Sequence, residues 1–181
     1  LALSDQLRES AAETIRSLKQ TGVTPVLLTG DHVNAARQVA KVLQIDQVHA
    51  GCLPEDKLNW IDHSQRQSCP VCMIGDGIND SPALACADIG VALGCGTDIA
   101  ISAADVMIVG SSIDSVKTVF DISAATMRNV RQNLIWAVVY NVVCIPLAAA
   151  GIINPSIAAA AMAMSSNGVL LNALRLKNYG K

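Results

Sequence analysis

Gly75-Asp76-Gly77-Ile78-Asn79-Asp80 decides how this chain is read. The apolar run Val71-Cys72-Met73-Ile74 before it predicts a short buried strand, and Ser81-Pro82-Ala83-Leu84-Ala85 after it predicts the first turn of a helix. Two carboxylates four residues apart then sit on a glycine-rich loop just past a strand end. In an open α/β sheet that is where ligands bind. Two acids with no base nearby suit a hard divalent cation such as Mg²⁺, which prefers oxygen ligands. The glycines would let the backbone approach a phosphate. The same residue types also favour an ordinary turn, and the hexapeptide alone leaves both readings open.

Upstream, Thr24-Pro25-Val26-Leu27-Leu28 is a second strand-like run that ends in Thr29-Gly30-Asp31. A hydroxyl at a strand end, followed by glycine, can donate to a phosphate oxygen. Between the two loops, Pro54-Glu55-Asp56-Lys57 has the form of a helix start. Lys57 then falls in the first turn, where an ammonium can neutralise phosphate charge or simply be solvated. Hydroxyl, lysine and paired carboxylates thus follow one another, each at the boundary of an element.

The surrounding pattern alternates. Helices are expected at about 9–21, 33–43, 54–66, 79–87 and 97–103, and strands at 25–29, 47–50, 71–75, 89–93 and 105–109. Alternation of this kind implies a parallel sheet. Residues 112–131 read as one further helix.

Residues 132–174 contain no Asp, Glu, Lys, Arg or His, a run of 43, in a chain that is 15% charged overall. A spanning helix needs about 20 apolar residues, and Gly151-Ile152-Ile153-Asn154-Pro155 breaks the run near its middle. The reading is a hairpin of two membrane helices, about 133–151 and 156–174. Arg128 and Arg131 precede it, and Arg175, Lys177 and Lys181 follow it. Positive charge at both ends places both ends on the cytoplasmic side. A buried hairpin in a large soluble core is the competing account.

Polar residues inside such a run are costly. Tyr140 and Asn141 stand within the first predicted span, and Met162-Ala163-Met164-Ser165-Ser166 within the second. Met162 and Ser166 are i and i+4, so they share a helix face. A thioether is a soft ligand that favours Cu(I). Methionine also fills packing gaps, and small residues let membrane helices approach closely. The chemistry alone does not choose between these.

Taken together, Thr29-Gly30-Asp31, Pro54-Glu55-Asp56-Lys57, Gly75 to Asp80 and Gly94-Cys95-Gly96-Thr97-Asp98 resemble the haloacid-dehalogenase fold, and specifically the phosphorylation domain of P-type ATPases. The resemblance runs over nearly the whole chain. It implies an α/β haloacid-dehalogenase-like domain, incomplete here, with a parallel sheet and flanking helices, followed by an α-helical transmembrane hairpin. The organisation would be 1–111 as the C-terminal portion of the phosphorylation domain, 112–131 as a connecting helix, 132–175 as the two membrane helices, and 176–181 as a cytoplasmic tail. By resemblance, Asp76 and Asp80 bind the Mg²⁺, Asn79 and Asp80 support the phosphorylation site, and Thr29, Gly30, Asp31 and Lys57 line the phosphate site.

No DKTGT motif, whose Asp is the family's nucleophile, and no TGE occurs. The resemblance is therefore to the C-terminal part of a larger pump. The actuator, the nucleotide-binding domain that holds most of the ATP and the earlier membrane helices would be its partners, and the chain by itself is expected to be inactive.

Tyr-Asn in one span and Met-x-x-Ser-Ser in the next resemble the last two membrane helices of copper-transporting P1B-type ATPases. Arg131-Gln132-Asn133-Leu134 and Leu171-Asn172-Ala173-Leu174-Arg175-Leu176 resemble the same group. This implies Cu(I), or its soft analogue Ag(I), as the transported substrate. Tyr140, Asn141, Met162 and Ser166 become the candidate ligands, with a copper chaperone as a further partner and the bacterial inner membrane as the location. The alternatives are a copper pump serving cytochrome oxidase assembly, a catalytically silent membrane-anchored remnant with an interaction role, and a free-standing phosphatase.

A net charge of −2 carries no basic footprint, so nucleic acid is not expected. Six cysteines on a reducing cytosolic face do not imply disulfides. Cys69-Pro70-Val71-Cys72 has CxxC spacing, but strand alternation would send its two side chains to opposite faces, which favours a structural role. Cys144, i+4 from Tyr140, is read as a small buried residue rather than an added soft ligand.

Overall fold

The computed structural model describes residues 10–75, 78–94, 102–110, 112–152 and 154–175. Asp76, the 95–98 part of the second glycine-rich stretch, most of the helix expected at 97–103 and the 176–181 tail lie outside them. The chain divides into two compact units, Leu1–Lys117 and Thr118–Lys181.

In the first unit, α1 (Ala11–Gln20), β1 (Val26–Leu28), α2 (Val33–Leu43), β2 (Gln47–His49), α3 (Pro54–Arg66), β3 (Cys72–Gly75), a 3₁₀ turn (Ile78–Asp80), α4 (Ser81–Cys86), β4 (Ile89–Leu93) and β5 (Val106–Ile108) alternate in order. The long periodic segments gave their own limits: α2 and α3 span the expected residues, since each has an apolar face. α3 begins with Pro54 at its first position, and Asp56 reaches back so that its Oδ2 accepts the Leu53 N–H at 2.8 Å.

All strand pairs are parallel, as alternation requires. Among the described residues they form two sheets, β1–β2 and β3–β4–β5. Val26 pairs with Gln47, and Cys72 with Ile89. Among the described residues no ladder joins β1 to β3, which strand alternation could not foretell, since it gives direction but not neighbours. Ile61 of α3 packs with Met73, Ala83 and Leu84 to form a buried cluster, tying α3 to β3 and α4.

The second unit is built on α5 (Asp114–Ala149) and α6 (Pro155–Leu174). The first four residues of α5 fall in the first unit. The expected connecting helix and first span are thus a single helix of 36 residues. α5 ends where the glycine signal placed the break: Gly151 has φ +71, and its N–H and that of Ile152 close back on the carbonyls of Ala148 and Leu147. Asn154 and Pro155 then start α6, with Asn154 Oδ1 accepting the Ser156 N–H.

Among the described residues, α5 is the one helix long and apolar enough to cross a membrane, and none of its apolar window is buried. Leu134, Ile135, Val142 and Ile145 are more than 60% exposed, a pattern that disfavours the buried soluble hairpin. The apolar stretch of α6 is shorter, Ala159–Leu174.

Candidate functional sites

The first site forms at the C-terminal ends of the parallel strands. Thr29 follows β1. Its N–H donates to His49 O at 3.0 Å, and the Cys52 N–H donates to Thr29 O at 2.9 Å. The loops after β1 and β2 are therefore clasped together. Thr29 Oγ1 donates to Asp31 Oδ2 at 2.9 Å and accepts the Asp31 N–H at 3.1 Å, a closed local turn. Gly30 is exposed between them.

Lys57, in the first turn of α3, points at the other loop. Its Nζ lies 2.5 Å from Asp80 Oδ1, with the two side chains 14% and 17% exposed. Asp80 occupies the N-cap of α4, yet its side chain makes no capping bond. The carboxylate that would ordinarily satisfy an N-terminal N–H is given to the lysine. Gly75 makes this possible: a Cβ there would lie 2.9 Å from Asp80 Cβ and 3.0 Å from its Oδ2. The glycine at the strand end thus leaves room for the second aspartate of its own motif. Asn79 is exposed on the 3₁₀ turn, and Ser81 Oγ, next to Asp80, is buried with no hydrogen-bond partner among the described residues.

The structure therefore joins Lys57 to Asp80, and Thr29 to Asp31, but places no hydrogen bond between the two pairs. The donors fit Mg²⁺ in kind, since Asp80 keeps Oδ2 outside its ion pair; Asp76, expected to hold the ion, lies outside the described residues.

The CxxC motif needs a correction. Cys69 precedes β3, which begins at Cys72, so strand alternation does not relate the two side chains. Both thiols are free, and burial pushes the Cys72 thiol up, away from the thiolate form that redox chemistry uses.

The second site lies between α5 and α6. A groove of about 360 Å³ is lined by Tyr140, Asn141, Cys144, Met162, Ser165 and Ser166, among others. All four side chains expected to share a metal site therefore line one groove. Cys144, read as a small buried residue, is half-buried and lines it too. Met164 does not. Its spacing of two from Met162 turns it to another face. Ser166 Oγ donates to Met162 O at 3.1 Å.

The strand ends, lysine and carboxylates have the arrangement of the haloacid-dehalogenase-like class. Residues 1–88 match a family described as haloacid dehalogenase-like hydrolase, and residues 58–120 match a second family of the same description. A "Cation-transporting P-type ATPase B" of Mycobacterium leprae is 51% identical over 180 residues, covering 99% of this chain and 24% of the relative. A "Copper-exporting P-type ATPase" of Staphylococcus haemolyticus is 50% identical over 177 residues, covering 98% of this chain and 22% of the relative. The solved structure of a zinc-transporting PIB-type ATPase in the E2.Pi state superposes with a TM-score of 0.90 at 37% identity, over 97% of this chain and 29% of that one. The chain belongs to the heavy-metal, P1B-type P-type ATPases and corresponds to part of their haloacid-dehalogenase-like domain with the C-terminal helices. It spans about a quarter of the length of the curated relatives it matches.

Proposed function

We propose that the chain is part of an ATP-driven transporter of Cu(I), with Ag(I) as a chemical equivalent, in a bacterial inner membrane. The observation that carries this reading is the groove between α5 and α6. It offers a thioether from Met162, a thiol from Cys144 and neutral oxygen donors from Tyr140, Asn141 and Ser166, and among the described residues its lining includes no carboxylate. Soft donors without negative charge favour a soft monovalent ion over Zn²⁺. α5 and α6 would both span the membrane.

At the other site, Lys57, Thr29 and Asp31 would contact the phosphoryl group, and Asn79 and Asp80 would support it. Asp76, with Asp80 nearby, would hold Mg²⁺, which offsets phosphate charge in phosphoryl transfer. The phosphorylated Asp, the nucleotide-binding domain, the actuator and the earlier membrane helices would come from outside the 181 residues. A copper chaperone is a further candidate partner.

Zinc is the second reading, favoured by the likeness to the zinc-transporting structure. The deciding experiment measures ATPase activity of the intact transporter against Cu(I), held reduced, and against Zn²⁺. Stimulation by Cu(I) and not by Zn²⁺ is expected. Stimulation by Zn²⁺ alone would overturn the copper assignment.

A further inference from the structure

A cluster of neutral amides joins α5 to α6 at one end of the groove. Asn172 Nδ2 donates to Asn133 Oδ1 at 2.9 Å and lies 3.4 Å from Gln132 Oε1. Asn133 Nδ2 donates to Asn129 Oδ1 at 2.9 Å, and Asn129 Nδ2 donates to the backbone carbonyl of Asn172 at 2.7 Å. The circuit closes on itself: each asparagine both gives and receives. Asn129 is 8% exposed, although it stands one residue from Arg128 on a helix whose surface is otherwise largely open.

We propose that Asn129, Asn133 and Asn172 are a register clamp that fixes how far α6 is slid along α5, and so sets Met162 and Ser166 opposite Tyr140 and Asn141. The part concerning metal rests on the proposed function; the clamp itself does not. The levels agree. From Asn133, Tyr140 and Asn141 lie seven and eight residues along α5, roughly 11 Å at a rise of about 1.5 Å per residue. From Asn172, Ser166 and Met162 lie six and ten residues back along the antiparallel α6, roughly 9 and 15 Å, which brackets the same height. Bonds of this length tolerate little sliding. A slip of one residue, about 1.5 Å, lengthens and misaligns them, and a slip of one turn, about 5.4 Å, breaks them all. In lipid there is no hydrophobic drive between helices, so packing and such interhelical bonds carry the alignment. Amides suit this task because they carry no charge to titrate and no charge to bury.

The test uses the intact transporter carrying Asn172→Leu, and separately Asn172→Asp. The second keeps the shape and removes the Nδ2 donor that meets Asn133 and Gln132. Register is read without metal, by cross-linking Ala137→Cys to Val169→Cys, which stands at nearly the same height from the amide cluster, and to Ser165→Cys, one turn further along α6. The expected result is that cross-linking to 169 slows severalfold and that to 165 rises in both variants. In transporters without the introduced cysteines, the Cu(I) concentration for half-maximal ATPase activity should rise about threefold or more, while phosphorylation by inorganic phosphate stays within about twofold of the parent. A merely structural loss would lower that phosphorylation as well. An unchanged cross-linking pattern overturns the clamp. A changed pattern with an unchanged Cu(I) response overturns its role in positioning the metal groove. If the parent transporter shows no response to Cu(I), the functional reading fails and the cross-linking still decides the clamp.

Discussion

Lys57 Nζ and Asp80 Oδ1, 23 residues apart in sequence, meet at 2.5 Å across the strand ends of the first unit. The pair links the start of α3, which follows the β1–β2 sheet, to the loop after β3. Two motifs that look independent in the sequence therefore act on one electrostatic centre. A phosphoryl group arriving there would meet a lysine already held in place and a carboxylate whose charge is already balanced.

Removing one member of this pair leaves the other largely buried and alone. Asp80→Ala should destabilise the protein by about 2–4 kcal/mol, seen as a lower midpoint in thermal or denaturant unfolding, and should abolish phosphorylation in the intact transporter. The double variant Lys57→Met, Asp80→Leu should recover much of the stability, because apolar replacement of a buried pair is often neutral. It should recover no phosphorylation. Full activity in the double variant would show that the pair is structural only.

Gly75→Ala should act through Asp80. The added methyl would lie 2.9 Å from Asp80 Cβ, so the aspartate or the strand must shift. The expected cost is about 1–3 kcal/mol with a loss of phosphoenzyme larger than the loss of fold. Wild-type phosphorylation at matched protein levels would contradict the close approach.

Acid should weaken the first unit through Asp88. Its Oδ2 accepts the Val71 N–H at 2.7 Å, and this bond, with one from Gln65, holds its carboxyl below the ordinary carboxylate value. Because the folded-state pKa is the lower one, the contribution is complete above the unfolded value of about 4 and is lost as pH falls through the folded value. Asp88→Asn should flatten the fall in stability below about pH 4. The check is the urea midpoint measured from pH 6 to pH 2.5, as an order-of-magnitude window. An identical pH profile in the variant would remove Asp88 from the account.

The two methionines of α6 should differ. Met162 lines the groove and Met164 does not. Loss of an outer-shell partner already costs about 10–100-fold in metal affinity, so Met162→Ala should raise the Cu(I) requirement of the intact transporter by about tenfold or more. Met164→Ala should leave it nearly unchanged. Cys144→Ala, which removes the second sulfur from the groove, should fall between them. Equal effects of the two methionine substitutions would defeat the assignment.

Among the described residues, the sequence by itself determined most of the elements, their parallel sense and the break between the long helices, because these depend on local signals. Apolar periodicity marks α2 and α3, Pro54 and Asp56 fix the start of α3, and Gly151 with Asn154-Pro155 separates α5 from α6. It also pointed to Tyr140, Asn141, Met162 and Ser166, since polar groups in a long uncharged run are conspicuous. Only the tertiary structure decided who meets whom. That Lys57 meets Asp80, that Gly75 is needed for Asp80 rather than for a phosphate alone, that the strands fall into two sheets, and that Cys144 reaches the groove all depend on packing between segments far apart in the chain. The amide circuit of Asn129, Asn133 and Asn172 belongs there too. Its bonds between the helices cross 39 to 43 residues, and a neutral asparagine carries no periodic signal that would announce its partner. Local physics sets the secondary structure; register between elements is set by contacts that exist only once the elements are assembled.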